Sequence, residues 1–376
     1  MVMGAIKENF PGENRLPLTP QAVIRLVKKG ARVCVETGIG AGLHFSDDAY
    51  IKAGASLASR CDVLSGSDIL LRVCKPSVDD VAQMKNGCLH LSFLDPFNEK
   101  DLIQTLAARG ISTVSLEMIP RTTLAQKMDA LSSQASIAGY AAVILAAERI
   151  KKVFPMMMTP AGTIPPARVF IVGAGVAGLQ AIATAKRLGA RVEAFDTRPV
   201  VKEQVQSLGA KFMEIDLGTT DQTAGGYAVQ LTPAQLDKQR EGMARICGNS
   251  DIVITTAQVF GRKAPVIITR AMIARMKPGS VVVDLAVETG GNVEGVQLGK
   301  EVDINGVSII GWANMPGKAA VDASEMLAAN FANFIEHFWN KDMNGVDLKL
   351  DDEIIKGCLI THNGAVIHPS FKERGA

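Results

Sequence analysis

Short apolar runs alternate with amphipathic stretches along most of this chain. Residues 2–6 predict a strand, followed by a polar loop over 7–15. Thr19-Pro20 predicts a helix start, with threonine as N-cap and proline at the first helical position, and Gly30 ends it. Further strands are predicted over 32–36, 69–74, 88–94 and 112–118, with helices over 47–53, after Pro76 and over 98–109. Strand and helix alternating at this spacing predict a doubly wound α/β domain around a parallel sheet. A loop over 119–129 then leads into a helix over 132–152. It is apolar nearly all round, as a helix buried between two domains would be.

The pattern sharpens at 168–198, RVFIVGAGVAGLQAIATAKRLGARVEAFDTR. The apolar run 169–172 is followed at once by Gly173-Ala174-Gly175-Val176-Ala177-Gly178. A helical pattern then continues to Leu188, Gly189 ends it, and a second strand over 191–195 closes on Asp196. Strand, glycine-rich turn, helix and strand follow in the order of a dinucleotide-binding unit. Gly173 permits the tight turn, Gly175 leaves out the side chain that would block a pyrophosphate, and Gly178 lets the helix approach the sheet. The helix begins at Val176 and Ala177, where free N–H groups and the positive dipole end favour an anion. Asp196, 23 residues after Gly173, is placed to accept hydrogen bonds from an adenosine ribose, beside Thr197 and Arg198. A carboxylate there repels a 2′-phosphate, so NAD is expected over NADP; Arg198 is a mild argument the other way.

Beyond Asp196 the sequence predicts a helix over 200–208, a strand over 212–215, and an insertion over 217–231 with almost no core residues. Thr232-Pro233 repeats the earlier capping device. Strands over 252–256, 281–285 and 307–311 complete the six β segments of a dinucleotide fold. A helix over 319–340 leaves this domain, and the tail, 354–360 with 365–368, reads as a β-hairpin that returns with the helix to the first domain. The expected architecture is α/β: two doubly wound, Rossmann-like domains joined by long helices, the second carrying GxGxxG. Residues 1–132 with 323–376 form one domain and 133–322 the other.

A chain of 376 residues, 47% hydrophobic and 21% charged, suits two globular domains with sizeable cores. Its 40 basic and 38 acidic residues leave a net charge of +2 without a basic block, which points away from nucleic acid. The six cysteines lack CxxC spacing, so buried free thiols in a reducing cytosol are expected, with no zinc site. No signal peptide is read at the N-terminus. The longest charge-free apolar run, 135–147, is too short to cross a bilayer.

The chemistry is marked by an absence. A dehydrogenase acting on an alcohol or amine needs a general acid or base within reach of its substrate. None of the five histidines follows a second-domain strand; His90 reads as a core residue, and His362 and His368 fall in the tail. Lys75, at a strand end, is the best lone candidate, although a solvated lysine fits better. Arg121, Gln126 and Asp129 share the loop before the long helix. There Arg and Asp can pair to stiffen the loop and leave the Gln amide to donate and accept.

Around this loop the sequence becomes recognisable. Pro120-Arg121, Ala125-Gln126, Asp129-Ala130-Leu131-Ser132-Ser133 and Ile137-Ala138-Gly139-Tyr140 resemble the α subunit of the proton-translocating nicotinamide nucleotide transhydrogenases. So do the fingerprint, Lys202-Glu203-Gln204-Val205, Ala224-Gly225-Gly226-Tyr227 and Asp284-Leu285-Ala286 with Gly290-Gly291-Asn292. The resemblance implies an NAD(H)-binding component that docks on an NADP(H)-binding domain carried by membrane-embedded partner subunits. A hydride then passes directly between two nicotinamides, in the Si-specific/Re-specific manner, while a proton crosses the membrane. It implies that Arg121, Gln126 and Asp129 position the nicotinamide, that Lys202, Thr256, Ala257 and Leu285 join the cofactor site, and that Gly226 and Tyr227 lie on a mobile loop closing over it. It also implies a homodimer in the cytoplasm, held at the inner membrane through its partners in a split-subunit arrangement. Such an exchange needs alignment and exclusion of water, not a proton shuttle.

Alanine dehydrogenases resemble the chain in the same overall plan. Aligning 71–73 and 92–94 puts Cys74 and Asp95 where those enzymes carry a catalytic lysine and histidine. Arg15 matches their substrate arginine, and Lys75 is one residue out of register. A non-catalytic NAD sensor is the remaining alternative, disfavoured by the intact Arg121, Gln126 and Asp129 set.

Overall fold

The computed structural model describes residues 1–218 and 231–372. Two compact units emerge, Met1–Gln134 with Ala319–Ala376, and Ala135–Lys318. Unit 1 opens with strands β1 (Val2–Ala5), β2 (Arg32–Glu36), β3 (Ala55–Ala58), β4 (Ile69–Leu71), β5 (Leu89–Ser92) and β6 (Ser112–Ser115). They are linked by α1 (Pro20–Lys28), α2 (Asp47–Ala53), α3 (Arg60–Gly66), α4 (Val78–Gln83) and α5 (Lys100–Ala108). Ser46, Ser59 and Ser77 start α2, α3 and α4 by accepting the backbone N–H of Ala49, Asp62 and Asp80. The division between the units falls inside α6 (Ala130–Arg149).

Unit 2 contains an exposed antiparallel hairpin, β7 (Met157–Thr159) with β8 (Gly162–Ile164), then β9 (Arg168–Val172), α7 (Val176–Arg187), β10 (Arg191–Phe195), α8 (Lys202–Ser207) and β11 (Lys211–Phe212). It continues through α9 (Pro233–Asn249), β12 (Ile252–Thr255), α10 (Arg270–Ile273), β13 (Val281–Asp284), β14 (Lys300–Ile304) and β15 (Val307–Gly311). Unit 1 resumes with α11 (Ala320–His337), a small hairpin of β16 (Trp339–Asn340) and β17 (Gly345–Val346), α12 (Glu353–Cys358), and the hairpin β18 (Leu359–His362) with β19 (Ala365–Val366).

Each unit has one large sheet. In unit 1 the order is β19-β18-β6-β5-β4-β1-β2-β3, parallel from β6 to β3, with β18 antiparallel to β6. In unit 2 it is β11-β10-β9-β12-β13-β15-β14, antiparallel only at β14. In both, the chain winds outward from its first strand in one direction and then in the other. That creates a switch point between β1 and β4, and another between β9 and β12. Alternate residues of the central strands face opposite sides, so each sheet is covered on both faces. In unit 2, Ile171, Ile254 and Val283 face α6 and α7, while Phe170, Val253 and Val282 face Met243 and Ile246 of α9.

Several expectations are adjusted by contacts distant in sequence. The strand expected over 69–74 stops at Leu71; the Arg72 N–H still reaches Leu91 of β5, but the N–H groups of Val73 and Cys74 turn to Glu8. The tail is not a simple hairpin: Asp352 accepts the N–H groups of Ile354 and Ile355 and starts α12, so only 359–366 forms the hairpin. Thr19 precedes α1, but its hydroxyl donates to Glu325 of α11 instead of capping its own helix. Thr232 does cap α9, in a reciprocal box with Gln235. β3, α3 and the β7–β8 hairpin were not among the expected elements. Helix α6, at 20 residues, is long and apolar enough by length and composition to cross a membrane. Its Ala141, Ala142, Val143 and Ala146 instead pack into the unit 2 core.

Candidate functional site

The loop after β9 is built by close approach. Gly173 has φ +97, a conformation that favours glycine, and its N–H donates to Phe195 at 2.8 Å. A Cβ on Gly178 would lie 1.9 Å from the Gly173 carbonyl oxygen, so the turn and the first turn of α7 touch directly. A Cβ on Gly175 would meet nothing within 4 Å. The space above the start of α7 is therefore open at one glycine and closed at its neighbour. From beneath, Gly139 of α6 lies where a Cβ would be 2.1 Å from the Ala177 carbonyl oxygen, so that helix supports the loop from behind.

Asp196, just past the end of β10 and almost buried, ties this loop together. Its Oδ2 accepts the Ala174 N–H at 2.7 Å, and its Oδ1 accepts the Arg198 N–H at 2.8 Å. The Arg198 guanidinium grips the same carboxylate at both oxygens, Nε to Oδ1 at 2.9 Å and Nη2 to Oδ2 at 2.8 Å. That bond to Asp196 holds the guanidinium above the usual arginine value despite burial. Thr197 sits between the two, and Lys202 opens α8 paired with Glu214.

The third side of the crevice comes from β12 and β13. Thr256 donates its N–H to Val172 at 2.8 Å, and its hydroxyl reaches the Gly173 carbonyl at 3.1 Å. Ala257 is held by both backbone groups: its N–H donates to Asn292 Oδ1 at 3.0 Å and its carbonyl accepts from Asn292 Nδ2 at 2.8 Å. Leu285 accepts from Gln258 Nε2 at 3.0 Å. Fully buried Asp284 organises this wall, accepting from the N–H groups of Ala286, Asn292 and Val293 and from the Thr255 hydroxyl. Burial pushes its carboxyl above the usual range even against those four bonds.

The fold thus brings Gly173, Gly175, Val176, Ala177, Gly178, Asp196, Thr197, Arg198, Thr256, Ala257 and Leu285 to the carboxyl ends of β9, β10, β12 and β13, at the switch point. Gly226 and Tyr227 lie outside the described residues. Asp284, Asn292 and Gly139 were not among the expected site residues. Their signal was an acid closing an apolar run with an amide eight residues later, and a glycine inside a helix.

Arg121, Gln126 and Asp129 belong to unit 1. Arg121 Nε approaches Asp129 Oδ2 at 3.7 Å, and Asp129 also accepts the N–H and hydroxyl of Ser132, at 2.9 and 2.5 Å, at the start of α6. Gln126 is exposed on a short 3-10 turn, Gln126–Met128, pinned from behind where Asn330 and Asn333 of α11 donate to the Lys127 carbonyl.

Residues 4–138 match the N-terminal domain of alanine dehydrogenase/PNT, and residues 142–369 match its C-terminal domain. The chain belongs to the alanine dehydrogenase/PNT family. Within that family it is 45% identical, over 98% of both chains, to the first part of the NAD(P) transhydrogenase subunit alpha of Rhodospirillum rubrum. It resembles the crystal structure of transhydrogenase from Sinorhizobium meliloti with a TM-score of 0.89 and 42% identity, over 98% of this chain and 100% of that one. Alanine dehydrogenase of Bacillus subtilis is 27% identical over 98% of this chain and 93% of its own, and an L-alanine dehydrogenase structure aligns with a TM-score of 0.81 at 25% identity over 99% and 98%. The chain sits with the transhydrogenase α subunits.

The residues considered as acid, base or substrate ligands are engaged within unit 1. Arg15 is spent within unit 1, on Glu13 at 2.6 Å and on Gln134 at 2.9 Å. Cys74 faces Glu13, and burial and that carboxylate push its thiol far up, so it stays protonated. Lys75 turns instead to Glu99 at 2.5 Å and Asp95 at 3.3 Å. Burial alone would lower its pKa, but these two carboxylates raise it, so it is held as an ammonium. His90 is wholly buried and bonded through Nε2 to Ser92, with burial pushing its pKa down to about 3.

Proposed function

We propose that this chain binds NAD(H) in unit 2 and serves as the NAD(H)-binding subunit of a proton-translocating transhydrogenase of the Si-specific/Re-specific type. Its partner is a membrane-embedded subunit that holds NADP(H) and couples hydride transfer to proton movement across the membrane. The observation that carries this reading is the crevice at the β9–β12 switch point. It offers open space above Gly175, N–H groups at the start of α7, and a buried acid at the end of β10. Those features fit a pyrophosphate and an adenosine ribose. Bound NADH supplies the hydride.

The chain's own residues contribute geometry. Arg121 and Asp129 stiffen the turn that presents Gln126, and the three together position the nicotinamide. Lys202, Thr256, Ala257 and Leu285 complete the cofactor contacts. No proton need be moved at either ring, which agrees with a charged Lys75, a protonated Cys74 and a neutral buried His90. The chain acts as a homodimer on the cytoplasmic side of the inner membrane. The exposed Met157, Met158 and Ile164 of the β7–β8 hairpin offer apolar surface for pairing.

Mixing the protein with an NADP(H)-binding transhydrogenase domain should give hydride transfer from NADH to an NADP analogue, followed by absorbance. Absence of transfer, together with alanine-dependent NAD reduction by this chain alone, would overturn the reading. Gln126→Asn should leave NADH affinity unchanged while slowing transfer by roughly ten- to a hundredfold, the scale of a lost alignment. Equal loss of both would make the loop structural.

A further inference from the structure

We propose that Asn292 is a positioning residue for the nicotinamide half of the cofactor, acting through the backbone of Ala257. The inference rests on the reading that unit 2 binds NAD(H). A doubly wound dinucleotide fold takes its two nucleotides on opposite sides of the switch point, one for each half of the sheet. With Asp196 beside β10 meeting the adenosine ribose, the nicotinamide half falls to the side of β12 and β13. The first residues past β12, Thr256 and Ala257, stand against the glycine turn there. A Cβ on Gly173 would lie 2.5 Å from the Thr256 Oγ1 and 3.4 Å from the Ala257 nitrogen. The placement of this short stretch therefore sets the crevice on the nicotinamide side.

Asn292 fixes that placement. Gly290 and Gly291, at φ +107 and +85, turn the chain so that Asn292 is fully buried beside Asp284, which accepts its backbone N–H at 2.7 Å. Its Oδ1 accepts the Ala257 N–H at 3.0 Å, and its Nδ2 donates to the carbonyls of Ala257 and Pro265, at 2.8 and 2.9 Å. One amide thus clamps both ends of the loop 257–265, and the Asn292 carbonyl accepts the N–H groups of Ile267 and Ile268 just beyond it. Both amide hydrogens are taken inside the protein, so Asn292 acts on the cofactor through the chain it holds. The adenosine side is tied independently, with Asp196 accepting the Ala174 N–H and Phe195 the Gly173 N–H. Without the clamp, the N–H and carbonyl of Ala257 lose their partners together, and the chain past β12 must shift to find others.

The test is calorimetric titration of ADP and of NADH into the wild-type protein, Asn292→Asp and Asn292→Ala. ADP carries the adenosine and the phosphates but no nicotinamide. Asn292→Asp keeps the shape and the acceptor but sets a carboxylate oxygen against two carbonyls. Asn292→Ala adds no charge, and it carries the test where Asn292→Asp lowers the melting temperature. NADH should bind the variants about tenfold more weakly, the effect of one or two lost neutral hydrogen bonds, while ADP affinity stays within about twofold. Loss of ADP and NADH affinity together makes Asn292 a structural residue of the whole unit, and loss of neither makes the clamp idle; each result overturns the inference. Failure of wild type to bind either ligand would instead overturn the reading beneath it.

Discussion

In unit 1 the crevice between β1 and β4 is filled with charge. Glu8 accepts the N–H groups of Val73 and Cys74, at 2.6 and 3.2 Å, and pairs with Arg72 at 3.1 Å; Arg72 pairs in turn with Asp80 at 2.7 Å. One strand over, Glu117 accepts the N–H groups of Leu94 and Asp95 and the Ser115 hydroxyl, holding Asp95 at φ 52. Burial pushes Glu8 and Glu117 up, while Arg60 and Arg72 outweigh burial at Asp80 and leave it low. In unit 2 the corresponding crevice, between β9 and β12, is walled by glycine and backbone N–H groups, and its acids stand back at Asp196 and Asp284. The two sheets share a strand order but not a vacancy. A switch point becomes a ligand site only where side chains have been kept out of it.

The largest test of that contrast is Arg72→Met. Leaving Glu8 and Asp80 buried beside an apolar side chain should cost about 3–5 kcal/mol of unit 1 stability. It should leave NADH affinity unchanged. Urea unfolding followed by Trp339 fluorescence in a Trp312→Phe background reads unit 1 alone, because the chain has only these two tryptophans. A parallel loss of NADH binding would mean that the filled crevice serves the open one. Gly178→Ala should cost about 1–3 kcal/mol in unit 2 through overpacking against the Gly173 carbonyl, and should weaken NADH as well. Gly175→Ala, facing open space, should weaken NADH with little change in stability; identical behaviour of the two glycines would erase the distinction between them.

Smaller effects separate the two Thr-Pro helix starts. Thr232→Ala should cost about 1 kcal/mol and fray the first turn of α9, seen as faster amide exchange there. Thr19→Ala should leave α1 intact and loosen the contact with α11 at Glu325 instead. His90→Gln should be silent at neutral pH. Below it, the folded protein keeps His90 neutral down to about pH 3, whereas the unfolded chain takes up the proton near 6.5. The unfolded state then binds more protons, so stability falls as pH drops through that window, and the variant should show a shallower fall.

Much of this architecture could be read from local pattern. The central strands of both sheets are short apolar runs ended by turn residues, and the run of Gly173, Gly175 and Gly178 with Asp196 is contiguous enough to declare its geometry. What escaped depends on partners far away in sequence. β3 and α3 lie in ASLASRCDVLSG, which has neither a sustained apolar run nor clear helical spacing. The early end of β4 is decided by Glu8, across the switch point. The role of Asn292 appears only once Asp284 is buried against it, and no spacing rule reveals that Arg198 closes both oxygens of Asp196. Helix α6 looked apolar all round because one stretch of it serves the unit 2 core and another lies under the fingerprint at Gly139.

Unit 1 is assembled from both ends of the chain, which imposes a schedule on its synthesis. Strand β6 is made early, yet the partner that covers its edge arrives only with β18; the Thr113 and Thr361 hydroxyls that meet across that seam are 248 positions apart. At about 5–20 residues per second, the open edge waits on the order of 10–50 s for its cover. During that interval all of unit 2 has been made, as one uninterrupted stretch able to close on itself. The β6 edge therefore stays without its β18 partner until the last strands have been made.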